Sequence, residues 1–458
     1  MTDGPDAPGA LDVLVIGRSL PALLAALDLA EVGLSVAVAD GPLDLPSGPE
    51  RDPDGDIASF LERIAAPIEQ PAAPAAGSES GAGDGARTSG SHAGALPRFA
   101  EPRAPWLIDP AGRWAPQSIP NVLGVPAVPL ASENLRLLGA GGAMRAYLDR
   151  LKPLLTIGKT RAFGQLVRRR IGRRACERLV EPLVRERYGV AADDVEVAIA
   201  APGLNEALSR AGSLTSAALA YSDRNARREI GVEPEAGWES LAAETISRLS
   251  FYGVGFIDAT VASAEPKDSG WRAALESGDG VATRAIVLDR GTPGRPSVVV
   301  DGAIAALEPQ RLRVYASVDI HEPEGLGADA TGVRIAGDWT IRVEQGPERR
   351  WRATLGSPVL EAFSADDPFS ATVGVETLRA AGLSALPEAQ WAVRPAAALF
   401  AEGTQRHAAE ARLGDAVERM PELLPVGRAL HGDDLGAAIG AAHAGAVVLR
   451  RRLLGLSA

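Results

Sequence analysis

The segment from residue 12 to residue 40 constrains the fold most strongly. It consists of DVLVIG, an apolar β-branched run of strand length, followed by PALLAALDLAEVG, whose apolar residues recur at helical spacing. LSVAVAD then supplies a second strand that ends in Asp40. A strand, a helix and a second strand in this order form a βαβ unit with parallel strands, so the sequence predicts an α/β protein.

The turn between the first strand and the helix has the outline of a dinucleotide-binding turn. Such a turn usually contains three glycines: the first makes the tight bend, the second lets the diphosphate approach, and the third allows close strand–helix contact. Gly17 stands in the first place, and the small residues Ser19 and Ala22 stand in the other two. Asp40 follows Gly17 by 23 residues, where an acid normally accepts hydrogen bonds from the ribose hydroxyls.

Two interpretations of this turn are open. The first is a cofactor site in which the helix N-terminus binds the phosphates; the second is a βαβ unit that has kept its packing and lost its ligand. The first predicts cofactor contacts from the following residues: Gly17, Arg18, Ser19, Leu20, Ala22 and Asp40.

Composition limits the class of protein. A chain of 458 residues is expected to form two or three packed units. Its net charge of -12 and its 4% of aromatic residues argue against a nucleic-acid partner. Cys176 is the only cysteine, which excludes an internal disulfide and a cysteine metal cluster and fits a reducing cytoplasm. The acidic N-terminus lacks the basic region of a secretion signal, and no apolar window is long enough to predict a transmembrane helix.

Two internal segments differ in composition from the rest. The Ala, Gly and Ser-rich residues 67–98 are predicted to form a disordered loop because they contain almost no large apolar side chains. Residues 131–230 are mainly helical in pattern, with ten Arg or Lys between Lys159 and Arg187. This basic stretch is either a solvated helix face or a patch for an anionic ligand or a membrane surface.

The middle of the chain resembles a known family. Residues 163–217 are similar to the helical segment of protoporphyrinogen and coproporphyrinogen oxidases, FAD enzymes of haem synthesis within the amine oxidase superfamily. The matching positions, in the order and spacing of the family, are Arg169, Arg170 and Gly172, Glu177 to Val184, Tyr188 and Gly189, Pro202 and Leu204, and Gly212 and Ser213.

Three further blocks support the resemblance. WLIDPAGRWAPQSIPNVLGVPAVPL resembles a hairpin of the family, and the block from GWESLAAE to AIVLD resembles the element in which a valine meets the FAD adenine, here Val261. The tail around Gly427 and Gly432 aligns with the closing flavin motif. The resemblance therefore implies further cofactor contacts at Val261, Gly427, Asp434 and Ile439.

The resemblance also implies an architecture. A Rossmann-like FAD/NAD(P)-binding domain is expected from the discontinuous segments 1–66, 231–295 and 415–458. A mixed-sheet substrate-binding domain is expected from 99–130 and 296–414, and a helical insertion from 131–230.

The implied function is that of an FAD-dependent oxidoreductase that transfers hydride to flavin from a porphyrinogen or another large apolar substrate. Because the flavin carries the chemistry, the sequence assigns no catalytic residue and no metal. Candidate anchors for substrate carboxylates are Arg103, Arg113, Arg394 and His407. The expected location is the cytoplasm, either free or at the membrane periphery.

Several positions depart from the family pattern. No Gly-Gly-Arg follows Asp40, Arg428 replaces the usual acidic or small residue, and Ala441 to His443 replace Ser-Gly-Arg. These changes support a second hypothesis, a degenerate relative that keeps the fold and binds a porphyrin or a protein without catalysis. A flavin oxidase of the amine oxidase or desaturase type is a third hypothesis.

AGDWT at 336–340 copies a flavin-tail motif, but a strand-like run follows it, so a β-hairpin is predicted there.

Overall fold

The structure is a computed structural model. It describes residues 11–39, 41, 43–46, 48–67, 93–100, 104–152, 161–225, 230–267, 270–290, 307, 309–346, 349–360, 369–420 and 422–456. Two predicted site residues, Asp40 and Arg103, lie outside these ranges, as do residues 68–92 of the predicted loop.

The strands within these ranges are given in chain order. They are β1 (Leu11–Ile16), β2 (Val36–Ala39), β3 (Glu50–Arg51), β4 (Pro97–Ala100), β5 (Leu107–Ile108), β6 (Trp114–Ala115), β7 (Asn121–Val122), β8 (Val125–Pro126), β9 (Gly231–Pro234), β10 (Gly255–Ile257), β11 (Val261–Lys267), β12 (Gly270–Leu275), β13 (Gly280–Asp289), β14 (Leu312–Ile320), β15 (Gly332–Ala336), β16 (Trp339–Gln345), β17 (Trp351–Gly356), β18 (Ala392–Ala397) and β19 (Leu423–Val426).

The α-helices follow in the same way. They are α1 (Leu20–Ala30), α2 (Asp56–Ala65), α3 (Ser132–Tyr147), α4 (Phe163–Ile171), α5 (Arg173–Ala175), α6 (Glu181–Tyr188), α7 (Val197–Ala200), α8 (Leu204–Ala211), α9 (Leu214–Asn225), α10 (Trp238–Phe251), α11 (Ala371–Ala380), α12 (Gly403–Arg419) and α13 (Leu435–Leu453).

A seven-stranded sheet, the largest among the described residues, contains the predicted βαβ unit. Its parallel part runs β10, β2, β1, β13 and β19, with Val15 opposite Val38 on one side and Val287 on the other. The first half of β13 pairs antiparallel with β12, which pairs with β11. The interior positions of β1 are fully buried, as expected for a parallel strand covered on both faces.

Each face of this sheet packs on a separate apolar cluster. Helices α1, α2, α10 and α13 cover one face, where Leu27, Ile57 and Ile439 are buried together. The other face buries Leu14 and Val261. Because the strands run parallel, the ends that follow β1, β13 and β19 meet at one edge, which we call the carboxyl edge.

A five-stranded antiparallel sheet forms a second layer, in the order β15, β16, β17, β14 and β18. The predicted AGDWT hairpin is confirmed, because Ala336 pairs with Trp339 and Gly337 turns between them with φ +61°. The block WLIDPAGRWAPQ, which resembles a hairpin of the family, forms a hairpin here, with Leu107 opposite Ala115.

Helices α3 to α9 lie within residues 131–230, for which a helical insertion was expected, and they share one apolar cluster. The fully buried Arg313 of β14 connects this region to the five-stranded sheet. It donates to the backbone oxygens of Glu186 at 2.8 Å and Ser357 at 2.9 Å. A cation suits this position because the last turn of α6 presents carbonyls with partial negative charge.

The described part of the predicted loop differs from the expectation. Residues Ala93–Ala95 form a 3₁₀ turn, and β4 pairs with β9, with Phe99 opposite Val232. The backbone hydrogen bonds to β9 order a segment whose side chains gave no strand signal.

Among the helices of the described ranges, none is long and apolar enough to cross a membrane.

Candidate functional site

The turn after β1 places a helix N-terminus at the carboxyl edge. Gly17 bends the chain with φ +108°, and Ser19 has the extended backbone of an N-cap before α1. The side chain of Ser19 accepts no hydrogen bond from its own helix. The first turn of α1 therefore presents backbone N–H groups and the positive end of the helix dipole to this edge.

A carboxylate of the protein itself binds at this turn. The Ser19 backbone N–H donates to Oδ2 of Asp289 at 2.8 Å, and the Ser19 hydroxyl donates to Oδ1 at 2.7 Å. Burial raises the pKa of Asp289 to about 6, although the hydrogen bonds from Ser19 oppose the shift. Asp44 raises this pKa further and Arg290 lowers it.

Gly17 is required by the packing of the chain on itself. A Cβ at this position would lie 2.5 Å from the Cβ of Asp289. A Cβ at Gly41, just after β2, would lie 2.9 Å from the Cα of Gly17. These intramolecular contacts are enough to explain why residue 17 is glycine. Gly17 is therefore evidence for the tight turn, and it is weaker evidence for a bound ligand.

The tail turn is attached to the same edge. Gly427 has φ +117°, and a Cβ there would lie 2.6 Å from the carbonyl carbon of Arg290. Arg290 donates its backbone N–H to Val426 at 2.7 Å, and its carbonyl accepts from Ala429 at 3.1 Å. Asp289 and the tail turn are therefore neighbours.

Four charged residues connect the tail to β3 and β18; we call Glu50, Arg394, Arg428 and Asp433 the tail network. Arg428, with 8% of its side chain exposed, pairs with Glu50 at 3.0 Å and with Asp433 at 3.1 Å. Burial disfavours the charge of Arg428, but the two carboxylates raise its pKa above the ordinary value. Burial raises the pKa of Glu50, which Arg428 opposes. Arg394 reaches Asp433 at 3.4 Å and lies over the Tyr315 ring.

The tail continues into α13, whose N-terminus is capped. The Asp434 carboxylate accepts from the Ala437 N–H at 3.0 Å. Asp434 also lines a cavity of about 230 Å³ between the tail, α12 and the helical region. The cavity wall includes aromatic and aliphatic side chains, among them Tyr188, Ile199, Tyr221, Leu399 and Phe400.

Arginines also line this cavity, namely Arg51, Arg187 and Arg406. A second cavity of about 290 Å³ shares part of its wall with the first, including Phe400 and Leu413, and is lined by Arg311 and Arg412. Burial lowers the pKa of His431 in the first cavity, so its ring is neutral at neutral pH. The two cavities together offer apolar walls with several cations, and the carboxylates of Glu410 and Asp434 also line the first cavity.

The structure brings Gly17, Ser19 and Gly427 to the carboxyl edge, whereas several other residues predicted for the site are buried in the core or pair within other segments. Leu20, Ala22 and Ile439 are core residues, and Val261 is buried at the start of β11. Arg113 pairs with Asp109 inside its own hairpin at 3.1 Å. His407 is exposed on α12 and does not line either cavity, although its neighbours Arg406 and Ala408 do.

Sequence reasoning missed the acids that Ser19 and Arg428 bind, namely Asp289, Glu50 and Asp433. Asp289 had one visible signal, since it ends the strand-like run AIVLD as Asp40 ends LSVAVAD. Glu50 begins the two-residue strand β3 and Asp433 lies in the turn before α13, and neither place carries a periodic pattern that marks a partner.

Comparison with known proteins supports the fold. No protein-family model and no curated protein matches the chain. Among solved structures, a candidate protoporphyrinogen oxidase from Exiguobacterium sp. 255-15 matches with TM-score 0.69 and 14% identity, over 97% of this chain and 100% of that chain. Reduced UDP-galactopyranose mutase matches with TM-score 0.56 and 13% identity, over 98% and 96%. A putrescine oxidase redesigned in cofactor binding matches with TM-score 0.52 and 14% identity, over 98% and 99%.

The chain has the mixed α/β fold of FAD-dependent oxidoreductases. Its neighbours are members of the FAD-dependent amine oxidase superfamily, so the resemblance seen in the sequence is confirmed at the level of the fold.

The carboxyl edge fits a dinucleotide cofactor in most of its features. The α1 turn, the α13 N-terminus and the tail turn lie where the fold would hold one. The exception is the Asp289 carboxylate, which binds the Ser19 N–H.

Proposed function

We propose that this protein is a flavin oxidoreductase that holds FAD along the carboxyl edge and oxidises a large apolar substrate with carboxylate groups. The observation that carries the proposal is the position of the α13 N-terminus, which borders both the carboxyl edge and a cavity with apolar walls and three arginines. The fold of the neighbouring oxidases supports FAD as the cofactor.

Specific residues would hold this cofactor. The first-turn amides of α1 would bind the diphosphate, Asp40 would accept from the ribose, and Val261 would border the adenine. The N-terminus of α13, capped by Asp434, would support the flavin ring. When bound, the flavin accepts hydride from the substrate. The protein itself binds the substrate and orients it beside α13.

The cavity favours an anionic apolar substrate. Tyr188, Tyr221 and Phe400 supply apolar contact area, while Arg187 and Arg406 supply positive charge for carboxylates. A porphyrinogen, which combines a large ring with carboxylate side chains, is the substrate class that fits best.

The test combines flavin uptake with substrate binding. Purified protein loaded with FAD is mixed with a porphyrinogen without oxygen, and bleaching of the flavin absorbance is followed. Arg406→Gln should raise the porphyrinogen concentration that gives half the maximal bleaching rate several-fold and leave FAD content unchanged, whereas Arg210→Gln, which replaces an exposed arginine paired with Glu206, should change neither. Stable flavin absorbance with every porphyrinogen tested would contradict the proposed substrate.

A second candidate function is a non-catalytic binding protein. It is favoured by Asp289, which binds Ser19 where a phosphate would lie, and by the buried Arg428–Glu50 pair in the tail network. Such a protein would bind a porphyrin or a protein partner in the same cavity. Tight porphyrin binding by protein that takes up no FAD would favour it.

A further inference from the structure

We propose that Asp289 competes with the cofactor diphosphate for the first turn of α1 and thereby weakens dinucleotide binding. This inference rests on the proposed function, because it concerns the same cofactor site. It attributes weak dinucleotide binding to Asp289, which is 270 residues away from Ser19. It does not attribute it to Ser19 and Ala22, which stand where glycines are usual.

The geometry of the turn supports competition. Asp289 accepts both hydrogen bonds that Ser19 offers, from the backbone N–H at 2.8 Å and from the hydroxyl at 2.7 Å. The hydroxyl of Ser19 would otherwise be a donor to phosphate. The Asp289 side chain also packs against Gly17, which is where a diphosphate approaches the backbone in such turns. A bound diphosphate would therefore meet a carboxylate in its own position.

The charges around Asp289 add to the conflict. Asp44, from the segment after β2, is a second acid near it, and Arg290 is the cation whose charge acts on it. Burial and the neighbouring Asp44 raise the pKa of Asp289 to about 6. Both effects disfavour negative charge at this place, so a second anion there is unfavourable. For the diphosphate to bind, the carboxylate must either turn away from Ser19 or take up a proton.

A structural role for Asp289 makes a different prediction. The carboxylate links the end of β13 to α1 and accepts the hydrogen bonds of the N-cap residue Ser19, so it also stabilises the start of the helix. Asp289→Asn keeps the size and one acceptor oxygen but removes the charge. If Asp289 were only structural, this variant would lose thermal stability and gain no affinity.

The experiment measures binding of two probes, ADP and FAD, to the full chain by calorimetry. Asp289→Asn should bind both at least about tenfold more tightly than wild type at about pH 8. Asp289→Ser, which keeps a polar side chain without charge, is the second variant if the first does not fold. Asp12→Asn is the control, because Asp12 lies at the opposite end of β1 and pairs with Arg284.

The outcomes separate this inference from the proposed function. Tighter ADP binding without FAD binding would support the role of Asp289 and contradict the flavin proposal. Equal FAD affinity of wild type and both variants would overturn the role of Asp289 and leave the flavin proposal standing. Absence of binding of both probes to every variant would overturn both.

Discussion

Replacing Arg428 by methionine tests whether the tail network holds the tail turn in place. The substitution removes a guanidinium that is 8% exposed and leaves the carboxylates of Glu50 and Asp433 largely buried, with 24% and 13% of their side chains exposed. Removing one partner of a buried ion pair usually costs about 3–5 kcal/mol. Arg394 remains near Asp433 at 3.4 Å, so we expect about 3 kcal/mol, the lower end of that range.

The assay is chemical unfolding of Arg428→Met, of Glu50→Gln and of the double variant. The double variant should be more stable than the sum of the two single losses predicts, since Glu50→Gln removes a buried charge that Arg428→Met alone leaves unpaired. Arg210→Met serves as the control, because it removes an exposed pair with Glu206 and should cost under about 0.5 kcal/mol. Additive losses, or wild-type stability of Arg428→Met, would refute the role of the network.

Three other predictions concern stability. Gly17→Ala should destabilise the protein without any ligand by about 1–3 kcal/mol, because φ is positive and the new Cβ meets Asp289; an unchanged melting temperature would contradict this. Arg313→Leu should lower the melting temperature strongly and increase proteolysis near α6, since it leaves buried carbonyls unsatisfied at about 1–3 kcal/mol each; wild-type proteolysis would refute it. The raised pKa of Asp289 contributes stability that is fully present below the ordinary carboxyl pKa and is lost as pH rises through about 6. Asp289→Asn should therefore show a smaller fall of the melting temperature over this pH range than wild type.

Much of the fold could be predicted from the sequence because its signals are local. The apolar runs of β1 and β2 and the helical spacing of α1 each lie within a short window. The AGDWT segment was also predicted correctly as a hairpin, since the run after it alternates like a strand. Local patterns of this kind survive even where the motif residues change.

The contacts of the site could not be predicted in the same way. Ser19 and Asp289 are 270 residues apart, and Arg428 and Glu50 are 378 residues apart. The partners of each pair lie at the ends of different strands or in the turns that follow them, so only the folded sheet brings them together. The sequence showed Arg428 as a departure from a motif, and the structure supplies the acids that keep it buried.

The most direct test of the cofactor site is a titration of purified full-length protein with FAD, followed by flavin fluorescence and absorbance. We expect saturable binding with one FAD per chain, competition by ADP, and tighter binding by Asp289→Asn. Flavin that stays free in solution with both wild type and Asp289→Asn would contradict it.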